Sequence, residues 1–436
     1  MWTPGKRGTY AVAKRVESHP SRKIIGSVND YLAGRCIILG LTGSVSIYRS
    51  VDVARWLMRR GARIVPILTE GALEFVTPSL FHWATGEDPI TRLTGNVEHI
   101  VLAEDCDAML VAPATLSTIS KIAYGITDNP VALTALAILG EGKPLIVVPA
   151  MHQNMMKTRE YARAVEILSS QAIIIPPRVE EGIAKYPDPW VVARVTAAAS
   201  SRGADLKGKR VLVTAGATRE WIDPTRFISN PSSGRMGIEL AVEAWARGAE
   251  VDLVYGHVEH ILPHMVNLFP AETTEDMAKT VARLAGENRY DIALAAAAPA
   301  DYRPINTSKS KIRSGLENLS LTLEPTPKVA EALRSASKYL VVFAAETAES
   351  LGELEDYAVE KMEKYRGDAV IANRVGTRDA GFSSPYLEAL VIWRDGGATR
   401  KSFLGKIDKE SLARLILDLS VKNMEAADND EESNVR

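Results

Sequence analysis

The stretch VTAGATREWIDPTRFISNPSSGRMG, Val213 to Gly237, brings arginines, an aspartate, an asparagine and a serine pair into one connection. Arg226 is a permanent cation with a forked donor set, and Asn230 hydrogen-bonds without ionising. Ser232, Ser233 and Gly234 offer hydroxyls and amides at a helix start, where the helix dipole favours an anion. Gly216 lets the chain leave a strand sharply. The segment starts as a strand and ends as a helix, yet it is far longer than the roughly 2–6 residues such connections need.

The first half carries its own small polar turns. Thr42-Gly43-Ser44-Val45-Ser46 follows an apolar run and suits either a plain helix cap or a phosphate site. Thr69-Glu70-Gly71-Ala72, Ala112-Pro113-Ala114-Thr115 and Pro149-Ala150-Met151-His152 stand at predicted strand ends and outline a crevice. His99, in NVEHIVLAED just before a predicted strand, suits a general base at neutral pH or a structural histidine. His257, His260 and His264 have no nearby acidic or thiol partner beyond Glu259, so a loop is preferred to zinc and no metal residue is assigned. Neither GxGxxG nor GxxxxGK[ST] occurs, which excludes the standard dinucleotide and Walker fingerprints.

Regular elements must position these groups. CIILGL, ARIVPILT, AMLVAPA and PLIVVPAM read as strands alternating with helices, starting with IYRSVDVARWLMRR. The second half repeats that grammar with RVLVTAG, MGIELAVEAWARG, AEVDLVYG, DIALAAAAPA, YLVVFAAE and DAVIANR, then EALVIW in a hairpin through RDGG and a closing helix KESLARLILDL. This predicts an α/β chain of two doubly wound domains with mainly parallel sheets. The expected division is an N-terminal extension (1–35), a first domain (36–200), a second domain (201–423) after a polar linker, and an acidic disordered tail (424–436). With 52 basic and 54 acidic residues in 436, there is no basic field for nucleic acid or a membrane surface. No apolar run reaches membrane-spanning length and the N-terminus lacks a signal-peptide centre, so a cytoplasmic protein with small-molecule partners is expected. Cys36 and Cys106 are the only cysteines, which argues against a disulfide framework or a cysteine metal cluster.

The order of motifs over Cys36 to Ser420 resembles the bifunctional coenzyme A biosynthesis family, phosphopantothenoylcysteine decarboxylase fused to phosphopantothenate–cysteine ligase. GSVS, LTEGA, EHIVLAED, APATLSTISKIAYGITDN and PAMHQNMM are similar to the flavin-containing cysteine decarboxylases. The Val213–Gly237 segment, AAAAPADYRP followed by SKSKI, FAAET, and AVEK before DAVIANR are similar to the ligase. The resemblance implies Rossmann- or flavodoxin-like domains and FMN in the first. Gly43, Ser44, Ser46, Thr69, Pro113, Ala114 and Thr115 then surround the flavin, His99 is the base, and Asn129, Met151 and His152 meet the substrate. For the ligase it implies a nucleotide, CTP or ATP, with Mg2+ or Mn2+, activating 4′-phosphopantothenate as an acyl-nucleotide that cysteine attacks. Ser232, Ser233, Gly234, Ala297, Asp301, Lys311, Thr326, Pro327, Phe343, Lys361 and Lys364 would bind CTP, and Asn230, Arg226 and Ala298 phosphopantothenate; Asn230 and Lys311 would be catalytic. A homo-oligomer is implied too, trimer-based for the decarboxylase and dimeric for the ligase.

Three positions depart from the family pattern. His152 stands where the family has asparagine; RVEEGIAKYPDP lacks a flap cysteine, leaving Tyr186, Lys185 or water as proton source; and Lys328 stands where aspartate is common. Two rival readings of the first domain are a flavin-binding regulatory subunit of the phosphatase-inhibitor kind and a flavin prenyltransferase relative, with only the ligase active.

Overall fold

The computed structural model describes residues 19–180, 183–314, 318–375, 384–396 and 398–435. The chain divides into two compact units, Met1–Gly203 and Ala204–Arg436. Helix Pro189–Arg202 runs to that boundary, so the expected linker begins as helix.

In the first unit β1 (Cys36–Leu41), β2 (Arg63–Leu68), β3 (Ala108–Ala114), β4 (Leu145–Pro149) and β5 (Ile173–Ile174) form a parallel sheet ordered β2-β1-β3-β4-β5. Every residue of β1, β3 and β4 is buried, as continuous apolar runs require when helices cover both faces. A short antiparallel hairpin, β6 (Arg178–Glu180) with β7 (Ile183–Lys185), follows. Part of the expected extension belongs to this unit: Pro20–Ile24 forms a 3-10 turn, and Arg22 Nη2 donates to Gly86 O and Glu87 Oε1, both at 3.0 Å. Residues 1–18 lie outside the described residues.

The second unit holds β8 (Arg210–Ala215), a hairpin of β9 (Arg219–Asp223) and β10 (Arg226–Ser229), then β11 (Glu250–Tyr255), β12 (Asn267–Pro270) and β13 (Tyr290–Ala295). β14 (Tyr302–Pro304) pairs with β15 (Leu323–Pro325), and β16 (Ser337–Glu346), β17 (Ala369–Arg374), β18 (Tyr386–Asp395) and β19 (Ala398–Asp408) complete it. The main sheet is ordered β12-β11-β8-β13-β16-β17-β18-β19, parallel as far as β17 and antiparallel beyond. Side chains alternate across β8. Val211, Val213 and Ala215 pack with helices Arg235–Ala246 and Lys409–Val435, whereas Leu212 packs with the helices beginning at Thr274, Val329 and Leu351 on the other face.

The last helix spans Lys409–Val435. One expectation is corrected. Cys36 and Cys106 are bonded, with Cα atoms 4.5 Å apart. The topology explains this, because Cys36 opens β1, Cys106 lies two residues before β3 begins at Ala108, and these parallel neighbours start at the same end of the sheet. Asp107 reinforces the join, accepting from Cys36 N at 2.8 Å and Arg35 Nη1 at 2.6 Å.

The bond closes a loop of sequence separation 70. Chain-entropy reasoning gives about 4 kcal/mol for a loop of that size. Reductant, or Cys36→Ser, should therefore lower the first unit's unfolding midpoint by on the order of 10 °C in calorimetry. An unchanged midpoint would contradict a stabilising role.

Candidate functional site

β8 and β13 are neighbours whose chains leave toward opposite faces, so the carboxyl edge between them is a topological switch point. A cleft of about 370 Å³ opens there. The unexpectedly long connection after β8 builds one wall, because it folds into the β9–β10 hairpin before entering helix Arg235–Ala246. Gly216 turns the chain at φ 78°, and a Cβ there would meet His257 O at 2.3 Å. Ala298 N donates to Gly216 O at 2.8 Å, and Ala300 N to Thr218 Oγ1 at 2.9 Å, stitching the strand-end segment to that turn. Asn230 completes the seam: its Nδ2 donates to Ala298 O at 3.2 Å and to Pro299 O at 2.9 Å. Its donors hold the wall, leaving Oδ1 as the group available to a ligand.

The cleft is electrically positive. Arg235, Lys328, Lys361 and Lys409 line it against a single acid, Asp301. Lys328 Nζ donates to Asp301 Oδ1 at 2.6 Å, and this bond raises the lysine's pKa. Lys361 lies 3.4 Å from Glu346. Burial, with the neighbouring Arg235 charge, pulls the Lys409 ammonium down to about 8. The helix start at Gly234–Arg235 lines the same space, with Gly234 N donating to Ser232 Oγ at 3.3 Å.

The first unit presents its polar turns at the carboxyl ends of β1 to β4. Thr42 ties two of them together, its Oγ1 donating to Pro113 O at 2.7 Å and accepting from Thr115 N at 3.0 Å. Ser44 and Ser46 hydroxyls lie 3.0 Å apart, and a Cβ on Gly43 would meet Gly71 O at 2.8 Å, so two backbones meet there closely. Thr69 precedes helix Glu70–Leu73, and Thr115 caps helix Leu116–Ala123. Hydroxyls and helix-start amides of this kind fit the phosphate of a mononucleotide. His99 is not before a strand as expected; it sits in the first turn of helix Glu98–Asp105, where Nδ1 is buried without a hydrogen-bond partner.

Comparison with known proteins fits both halves. Residues 25–200 match the Flavoprotein family, and residues 206–424 match the DNA/pantothenate metabolism flavoprotein C-terminal domain. The chain is 38% identical over 386 residues to the coenzyme A biosynthesis bifunctional protein CoaBC of Thermococcus kodakarensis, covering 86% of this chain and 93% of that protein. It is 32% identical over 400 residues to the CoaBC protein of Escherichia coli, covering 86% and 96%. This chain belongs to the CoaBC family. The solved C-terminal domain of a CoaBC protein aligns with 31% identity and a TM-score of 0.41, covering 51% of this chain and 99% of that one.

Within this CoaBC family member, the cleft unites Asn230, Ser232, Gly234, Ala297, Ala298, Asp301, Thr326, Pro327, Phe343 and Lys361. Other expected residues lie elsewhere. Ser233 is buried behind the wall, its carbonyl accepting from Glu259 N at 3.0 Å. Lys364 does not line the cleft; its ammonium lies over the Tyr365 ring, 5.5 Å from its centroid. Lys311 is exposed in the loop between β14 and β15 and does not line the cleft. Arg226 does not line it either; its Nη2 donates to Ile312 O at 2.9 Å. Sequence reading missed Arg235, Met236, Tyr365, Asn373, Leu387 and Lys409 as lining residues. Only Arg235 carried a signal, as a cation directly after the serine-glycine run.

In the first unit, Asn129 Oδ1 caps its helix by accepting from Ala132 N at 2.9 Å. His152 Nδ1 accepts from Asn154 N at 3.3 Å, capping the short helix Gln153–Met156. Of the candidate proton sources, Lys185 is paired with Glu180 at 2.7 Å, and burial pushes the Tyr186 phenol up, making it a weaker acid.

Asp223 ties the exposed loop to the hairpin. Burial pushes its carboxyl up, but hydrogen bonds from Thr225 and Ile312 and the Arg226 charge outweigh that and hold it at about 2. This depressed value stabilises the fold above about pH 4, the ordinary carboxylate range, and the contribution is lost as pH falls toward about 2. Asp223→Asn should free the loop, seen as faster amide exchange over residues 305–314 at neutral pH. Exchange equal to wild type there would refute the tether.

Proposed function

We propose that the second unit ligates cysteine to 4′-phosphopantothenate with CTP through an acyl-cytidylate, and that the first unit decarboxylates the resulting 4′-phosphopantothenoylcysteine to 4′-phosphopantetheine with FMN. Coenzyme A biosynthesis, with decarboxylase and ligase activities in one chain, is the function of the family. The observation that carries the finer ligase reading is the convergence of Asn230, the Gly234 helix start, Asp301, Phe343 and Lys361 in one positive cleft at the switch point.

A carboxylate is a poor acyl donor, so its oxygen must first be made a leaving group. The helix-start amides and Lys361 offset charge on a bound triphosphate, to which Mg2+ or Mn2+ comes with the nucleotide. Asn230 holds the Ala298–Pro299 carbonyls and presents Oδ1 to the acyl intermediate. Lys311, on the loop tethered through Ile312, is the cation that reaches the phosphates from outside the wall. The Lys328–Asp301 pair places an ammonium at the nucleotide end and favours CTP or ATP by contact rather than by a second carboxylate.

When bound, FMN supplies the two-electron chemistry that lets the substrate carboxyl depart as carbon dioxide. The turn at Gly43–Ser46, Thr69 and Pro113–Thr115 hold the cofactor, and His99 moves the proton. His152, held through Nδ1, donates from Nε2 to the substrate carboxylate and orients it. Met151 and Asn129 flank it. Exposed Val45 and Tyr48 beside the Gly43 turn suit a homo-oligomer that closes over this crevice.

Full-length protein incubated with 4′-phosphopantothenate, cysteine, CTP and magnesium should yield 4′-phosphopantetheine by mass. Asn230→Ala should slow ligation on the order of a hundredfold while supplied 4′-phosphopantothenoylcysteine is still decarboxylated. His99→Asn should do the reverse and accumulate phosphopantothenoylcysteine. Parallel loss of both activities in either variant would break the division of labour. A purified wild-type protein without flavin absorbance, and inert toward phosphopantothenoylcysteine, would favour the regulatory reading of the first unit.

A further inference from the structure

The cations of the ligase cleft divide between the two faces of its sheet. Lys328 and Lys361 belong to the face covered by the helices beginning at Val329 and Leu351, and they are paired with Asp301 and Glu346. Arg235 and Lys409 belong to the opposite face, where each opens a helix and the two helices pack together. Phe343, Met236 and Leu387 lie on that same face of the cleft.

Building on the ligase reading, we infer that Arg235 and Lys409 form a second phosphate-binding pole of the cleft, taking the phosphoryl group of one of the two phosphorylated substrates. Lys409 is only 4% exposed yet lines the cleft, and a desolvated ammonium gains most from an arriving anion. The charged groups around it are Arg235 and Glu239 from the facing helix, His260 from the loop after β11, and Glu410 beside it on its own helix. Glu239 is shared with Arg235 at 3.5 Å. Of these groups, Arg235 alone joins Lys409 among the lining residues, so the side chains this end of the cleft presents to a ligand are basic. Pro385 O accepts from Lys409 N at 3.1 Å, fixing the start of the helix in place.

The linkage has a definite sign. An anion favours the charged lysine, so binding takes up a proton, and affinity falls as pH rises through the lysine's value of about 8. Ionisation of the substrate phosphates acts in the opposite direction, which keeps the two effects distinguishable.

The test is calorimetric titration of wild type, Lys409→Met and Lys409→Arg with CTP–magnesium and, separately, with 4′-phosphopantothenate, at pH 7.5 and pH 9, with the melting midpoint of each protein recorded. Lys409→Met should weaken one of the two substrates on the order of tenfold or more, leave the other unchanged and abolish the pH dependence, and Lys409→Arg should restore binding. The substrate affected identifies the phosphoryl group that sits at the pole. A folded Lys409→Met protein that binds both substrates like wild type overturns the assignment, as does wild-type affinity that stays flat or rises across the pH range. The wild-type pH arm decides the matter if Lys409→Met does not fold. Wild type that binds neither substrate overturns the ligase reading itself.

Discussion

The hydrogen bond from Ala298 N to Gly216 O fixes where the second unit can hold a ligand. β8 and β13 run side by side, and the chain beyond each must turn away without losing its backbone partners. Gly216 makes the first turn, Thr218 and Asn230 receive and bind the segment beyond β13, and Thr326 Oγ1 extends the seam by donating to Ala300 O at 2.6 Å. The cleft is what remains above this seam. Its walls are rigid because their hydrogen bonds are satisfied by one another, and that leaves few groups whose polarity a ligand must complete.

Much of this was legible in the sequence because the main sheets obey simple periodicities. AMLVAPA is wholly buried and spans β3, and the glycine-terminated helix before AEVDLVYG packs where its pattern placed it. The short strands were not legible. β9 and β10 carry charged and aromatic residues, and their pairing depends on the Asp223–Arg226 turn rather than on alternation. The disulfide was invisible for a related reason: two cysteines 70 positions apart become neighbours only through strand order.

The candidate site was legible where residue type signals chemistry, as with Asn230 and the serine-glycine helix start, and through the family resemblance at Asp301. Lys409 was missed because it begins a helix that reads as an ordinary amphipathic closing element. Its place in the cleft follows from the two antiparallel strands β18 and β19, which bring the chain's end back over the first face. Lys364 failed for the opposite reason, a matching residue type whose ammonium lies over the Tyr365 ring instead of in the cleft. Side-chain direction around a helix decides such cases, and spacing in a motif does not encode it without the packing.

Asn230 is followed by Pro231. Spontaneous deamidation of asparagine proceeds through attack by the next residue's backbone nitrogen, and a proline nitrogen has no hydrogen to give up. An aspartate at this position would set a carboxylate against the carbonyls of Ala298 and Pro299, which now accept from the amide. The residue that follows the asparagine therefore closes the ordinary route by which this side chain of the seam would be lost.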